Sequence, residues 1–195
     1  MNGVPLGALA VVALLQGVPR DEARFVRDLV AAAVERTNHS VRYDGSYRGI
    51  PYPGGDVPLD VGVCTDLVVR AYRAVGVDLQ QLVHEDMRSA FSAYPALWGL
   101  SRPDPNIDHR RVPNLQAFLA RRGADLPVSS DPADYRPGDL VTWMLPGNLP
   151  HIGLVTSRLS PSGRPTIAHN IGRGPELEDM LFEFEVTRHY RYLGE

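Results

Sequence analysis

The sequence contains no lysine: all 20 basic residues are arginine, set against 23 acidic residues for a formal net charge of -3 and a pI near 6.1. A balance this close to neutral offers no basic footprint to a polyanion, so nucleic acid is not an expected partner. There is one cysteine, Cys64, which cannot form an internal disulfide and therefore carries no information about redox compartment. No long apolar run occurs either. The richest one, "VPLGALAVVALLQ", falls short of the about 20 apolar residues a membrane-spanning helix requires. It resembles the apolar region of a secretory signal, yet only Met1, Asn2 and Gly3 precede it and no small-x-small cleavage site follows. An export signal and a buried terminal helix both fit. Internal repeats, low-complexity tracts, a phosphate-cradling glycine loop and a serine nucleophile elbow are all missing, and no cofactor is expected.

What remains is an ordinary globular composition, 44% hydrophobic and 22% charged, over 195 residues. That length suits one domain, expected over 21–195 after the apolar segment 1–20. In "DEARFVRDLVAAAVERTNH" the residues Phe25, Val26, Leu29, Val30, Ala33 and Val34 repeat at three-four spacing, which predicts an amphipathic helix with an acidic start suited to its dipole. "YDGSYRGIPYPGGDVP" is rich in glycine, proline and tyrosine and predicts an ordered loop. Residues 64–75 read as a helix closed by Gly76, and a second helix begins near an N-capping Asp78. "NLQAFLARRG" gives a short helix closed by Gly123.

After residue 135 the period becomes strand-like. "RPGDLVTWML", "HIGLVTSR" and "RPTIAHNI" predict three strands, and "DMLFEFEVTRHYRY", with alternating Leu181, Phe182, Phe184 and Val186, predicts a fourth. Helices first and strands joined by short turns afterwards predict an α+β domain with an antiparallel sheet.

The chemistry centres on Cys64, which stands where the loop turns into a helix. A thiol of ordinary pKa ~8.5 is mostly protonated at neutral pH, but unpaired amides at a helix N-terminus favour the thiolate, so a lowered pKa is expected. A cysteine nucleophile also needs a base and a third group to orient that base. His151 opens one predicted strand, with Gly153 leaving room on its face. His169 lies on the next strand and shares a face with Ile167 and Ile171, while Ala168 and Asn170 take the other. If the isoleucines face the core helix, His169 points there too, and the apolar pattern favours it over Asn170 as third member. Against this stands the plain alternative that a lone cysteine in "VGVC" fills a core.

Three stretches, "YPGGDVPLDVGVCTDLV", "RPGDLVTWMLPGNLPHIGLV" and "AHNIG", resemble the bacterial domain of unknown function 1287, within the NlpC-type papain-like cysteine peptidases and amidases of the cell wall. The resemblance runs from about residue 24 to 192. It implies a papain-like fold with the nucleophile at a helix N-terminus packed on an antiparallel sheet, and a Cys64, His151, His169 triad. It further implies action on peptide or peptidoglycan amides and a location in the periplasm or cell envelope, with the cytoplasm as alternative. The superfamily's tyrosine and two glycines correspond to Tyr52, Gly54 and Gly55, and its "PGD" turn to Pro137, Gly138 and Asp139. Tyr52, Asn148 and Asn170 are then the oxyanion or substrate candidates. The superfamily has aspartate before the cysteine and serine and glycine after it. Here Val63, Thr65 and Asp66 take those places, which loosens the inference about the bond cleaved.

His84, Glu85, Asp86, Asp108 and His109 have metal-binding side chains, but adjacent residues point in different directions, and solvated polarity is the expectation. Asp139 is expected to organise its own turn.

Overall fold

The computed structural model describes residues 21–195; the apolar stretch read above as a signal or terminal helix lies outside the described residues. Helix α1, Glu22–Arg36, starts at Asp21, whose side chain accepts from the Arg24 amide at 3.1 Å. It buries Phe25, Leu29, Val30 and Ala33 on one face, as its periodicity predicts. Two short strands follow, β1 (Arg42–Tyr43) and β2 (Val61–Gly62), paired in parallel with Tyr43 opposite Gly62. Helix α2, Cys64–Ala74, is buried from Cys64 through Tyr72. A helix enclosed on every side is a core element, and α1 and the sheet lie against it. Helix α3, Leu79–Ala90, is capped by Asp78, which accepts from the Gln80 amide at 3.1 Å; α4 spans Val112–Arg121.

Six further strands form one antiparallel sheet. They are β3 (Asp125–Leu126), β4 (Leu140–Leu145), β5 (Leu149–Leu159), β6 (Pro165–Asn170), β7 (Pro175–Glu178) and β8 (Glu185–Tyr190), in the order β3-β8-β4-β5-β6-β7. From β4 to β7 the chain meanders, and β8 returns to pair with β4. One face, with Leu140, Ile152, Leu154, Ala168 and Tyr190, packs on the helices. The other, with Val141, Trp143, Val155 and Ile167, is covered by Tyr135, Met180 and Leu181.

Two expectations change here. Ile167 belongs to the second cluster and Ala168 to the helix side, so the face assignment for β6 is reversed: His169 shares the face of Ile167, away from the helices, and Asn170 lies on the helix side, which removes the apolar-pattern argument for His169 over Asn170. The predicted fourth strand, 179–192, is shorter than expected: Met180–Phe184 is a turn that covers the sheet and the strand runs Glu185–Tyr190, while Pro175–Glu178, just before that stretch, is a strand the sequence reading did not include. Apolar alternation in Leu181 and Phe182 reflects their packing onto the sheet, not membership of it. Among the described residues no helix is long and apolar enough to cross a membrane.

Candidate active site

Cys64 is the first residue of α2 and is 4% exposed. Amides of Ile152, Thr65 and Cys64 itself all favour its thiolate, but burial outweighs them and, with Asp66 nearby, pushes the thiol up to about 11. The lowered pKa expected from helix position is therefore overturned: the sulfur rests as a neutral thiol. Helix-end amides help only as far as the desolvated charge allows.

The Ile152 amide belongs to the residue that follows His151, so the backbone of β5 passes the amino end of α2, with the Ile152 side chain on the helix side and the His151 ring on the other face of the sheet. His151 Nε2 lies 3.1 Å from His169 Nδ1, with the two rings nearly perpendicular at 86°. Both rings sit on the sheet face that carries Trp143, which is opposite His151 in register and packs beside it. Burial holds both imidazoles neutral, lowering His151 to about 3 and His169 to about 4. Gly153 lets the two strands approach: a β-carbon there would stand 2.5 Å from Ile167 Cγ2 and 3.2 Å from His169 Cβ.

Other sequence candidates separate. Tyr52 packs its ring edge-on to His84 of α3 at 4.9 Å. The neighbouring glycines are fastened to the same helix: Gly54 donates to Asp78 at 2.7 Å and Gly55 to Gln80 at 2.8 Å. Gly55 is also required by space, since a β-carbon would meet the Pro51 carbonyl oxygen at 1.9 Å. The "YPGG" segment thus braces α3, and the contacts that Tyr52 makes there are with that helix. The phenol beside the thiol is Tyr43, brought there by β1–β2 pairing. Burial, Cys64 and Asp66 push it up to about 12, and its hydroxyl is within hydrogen-bonding reach of the sulfur. Asn170 is buried, reaching the Gly62 carbonyl at 3.5 Å and accepting from Gly172 at 3.1 Å, so it secures the loop before Cys64. Asn148 stands exposed at the tip of the β4–β5 hairpin with φ +57°.

A second residue that periodicity does not reveal is Glu178 of β7, whose Oε2 is 3.0 Å from His169 Nε2. Nothing in "GPELED" alternates, and only its place beside β6 could have pointed to it. Among the described residues, His169, Glu176 and Glu178 form the one group whose metal-ligating atoms lie within 4.8 Å of one another, but Arg173 already bridges both carboxylates. The residues that the sequence offered as metal ligands are dispersed: Asp86 binds Arg121 and Tyr94, Asp108 binds Arg111, and His84 packs on Tyr52.

Beneath the site lies a buried ion pair. Asp66 receives Arg110 Nε at 2.8 Å and Nη2 at 2.9 Å, and also accepts from the Val63 amide at 2.7 Å. Arg110 donates as well to the carbonyls of Asp44 (3.0 Å) and Ser46 (3.1 Å), tying the segment after Tyr43 to the start of α2. Asp139 organises its own turn through the Arg136 amide at 2.8 Å, as expected, and in addition binds His189 (2.7 Å) and Arg191 (2.7 and 2.8 Å) across the sheet.

A cysteine at the first turn of a buried helix is thus set against one face of an antiparallel sheet, an α+β arrangement. Among solved structures, the chain is similar to NlpC1 from Trichomonas vaginalis, with 14% identity, 91% of this chain and 46% of that chain covered, and a TM-score of 0.44. It is also similar to NlpC2 from the same organism, with 14% identity, coverage of 91% and 48%, and a TM-score of 0.46. It thus spans about half the length of those proteins. A closer relative in sequence is the uncharacterized protein YijF of Escherichia coli (strain K12), 49% identical over 160 residues that cover 82% of this chain and 78% of that protein. With that relative and a family model matching residues 30–192, the chain belongs to the family described as domain of unknown function DUF1287.

Proposed function

We propose that the protein is a cysteine-dependent amidase or peptidase whose substrate is a bacterial cell-wall peptide. The observation that carries this reading is the His151–His169 contact at 3.1 Å on the strand whose next amide reaches the Cys64 sulfur. Packing alone does not require two buried imidazoles in that place, since neutral histidines with few partners are costly to bury.

The resting pair is neutral, so attack and proton transfer go together. Cys64 Sγ bonds to the carbonyl carbon of the amide while its proton passes to His151 Nδ1. The carbonyl oxygen takes the negative charge and is met by the Cys64 amide and the Tyr43 hydroxyl, donors typically worth about 3 kcal/mol each in such sites. The carbon–nitrogen bond then breaks, and the amine leaves with the proton from His151. Water, deprotonated by the same nitrogen, releases the acyl group from sulfur and restores the thiol. Asn148, exposed beside this end of the sheet, serves as a substrate contact. A wall peptide as substrate implies work in the periplasm or cell envelope.

One observation favours a second reading, a binding module without catalysis: burial makes the thiol less acidic than a free cysteine. Mass spectrometry of defined muropeptides separates the two. Wild-type protein is expected to release a fragment shortened at one amide bond, and Cys64→Ala none. Equal release by both proteins would rule out the covalent route, and no release with retained binding would establish the module. Added amine that appears in the product would reveal acyl transfer in place of hydrolysis.

A further inference from the structure

A carboxylate stands behind the second histidine. Glu178 presents Oε2 to His169 Nε2 at 3.0 Å, and its other oxygen accepts from Arg173 at 2.9 Å. The buried ring of His169 presents Nδ1 to His151 Nε2 at 3.1 Å. Three groups in a row leave one consistent assignment of hydrogens. A carboxylate has only lone pairs to offer, so His169 Nε2 carries the hydrogen. A neutral imidazole has one N–H, so His169 Nδ1 is bare and must receive a hydrogen from His151 Nε2. By the same count His151 Nδ1 is bare, and it is the ring nitrogen left to take a proton from the thiol.

We propose that Glu178 is a positioning residue that sets the tautomer of His169 and, through it, of His151, leaving His151 Nδ1 bare as the basic nitrogen. The proposal rests on the reading of Cys64 and His151 as nucleophile and base. The direction of the hydrogen bonds can nevertheless be measured without any substrate. Glu178 touches neither the sulfur nor the reacting amide. A divalent cation on His169, Glu176 and Glu178 would do the reverse: it would occupy His169 Nε2, move the hydrogen to Nδ1 and leave His151 with its hydrogen on the wrong nitrogen.

The test is histidine-selective ¹⁵N NMR of the full chain, comparing wild type with Glu178→Gln and Glu178→Ala, each checked by thermal unfolding. Glu178 has a side chain 31% exposed, and glutamine keeps its shape, so the variants are expected to fold. Wild type should show hydrogen on Nε2 of both rings. Glutamine can offer its amide N–H to His169, so Glu178→Gln should give His151 a population with hydrogen on Nδ1, and Glu178→Ala a mixture. On a cleaved muropeptide, kcat should fall about 100-fold in Glu178→Gln with KM little changed, less than the about 10⁴-fold of amide replacement at a triad carboxylate because Glu178 acts through a second ring. Hydrogen on His151 Nδ1 in wild type would overturn the proposal, as would tautomers unaltered in both variants, or His169 Nε2 bound to zinc in protein purified without chelator. If the tautomers shift as expected while Cys64→Ala remains as active as wild type, the hydrolase reading fails and the relay stands.

Discussion

Replacing Arg110 by leucine should be among the most damaging single changes available in this chain. Its guanidinium and the Asp66 carboxylate are both nearly inaccessible, with side chains 2% and 4% exposed, and they are joined by two hydrogen bonds of 2.8 and 2.9 Å. Removing one member leaves the other as an uncompensated charge in the core, a loss of about 3–5 kcal/mol. The carbonyls of Asp44 and Ser46, which Arg110 also serves, lie on an exposed segment where water can replace it and add little. About 4 kcal/mol with a urea m-value of about 2 kcal/mol/M predicts a midpoint lowered by roughly 2 M. The corresponding fall in Tm is roughly 10 °C. Asp66→Asn keeps an acceptor for the Val63 amide and removes the charge. Combined with Arg110→Leu it should cost at least about 2 kcal/mol less than the two single changes summed, because no isolated charge remains. Urea melts of the four proteins at neutral pH complete the cycle. A loss under about 1 kcal/mol for Arg110→Leu, or additivity within about 0.5 kcal/mol, would refute the argument that charge burial dominates here.

Acid should destabilise the protein well above the pH at which carboxylates titrate. His109, His151 and His169 are held by burial to about 4, 3 and 4 in the folded state, against about 6.5 in an unfolded chain. Folded values below the unfolded one mean that this stability is complete above pH 6.5 and is lost as pH falls from there toward 4, by about 2 kcal/mol per histidine at pH 5; urea midpoints that stay flat between pH 7.5 and 5 would contradict this. Gly153→Ala should destabilise by about 1–3 kcal/mol, since its β-carbon would press on buried Ile167 at 2.5 Å, and restoration of part of that loss by Ile167→Ala is the check. Tyr43→Phe should lower kcat on a muropeptide about 100-fold with little change in unfolding, whereas Tyr52→Phe should leave kcat near wild type; the opposite pattern would return the oxyanion role to Tyr52.

The helices were legible because each has an apolar face and a punctuated end: Asp21 and Asp78 cap α1 and α3 as their side chains suggest, and Gly76 closes α2 with φ +81°. Strands β4, β5 and β6 were legible as runs. Their facing was not, because the sheet buries apolar residues on both sides, and alternation cannot distinguish Ile167 on one face from Ala168 on the other. Tyr43 went unread for a different reason: two-residue strands whose partners lie 19 positions apart carry no pattern, and their pairing is a tertiary event. Glu178 lies on a charged four-residue strand that reads as loop. The thiol's raised pKa escaped for the most general cause. Position at a helix start is visible in sequence, but the depth of burial that opposes it is not.

The margins of the sheet have a consequence for the company this protein can keep. One edge is β3, two residues long; the other is β7, four residues that begin with a proline and carry Glu176 and Glu178. A foreign chain arriving in extended form finds on one side almost no length to copy, and on the other a short strand that begins with a proline and carries charged side chains paired with Arg173. Templated aggregation through either border is thereby discouraged at high concentration.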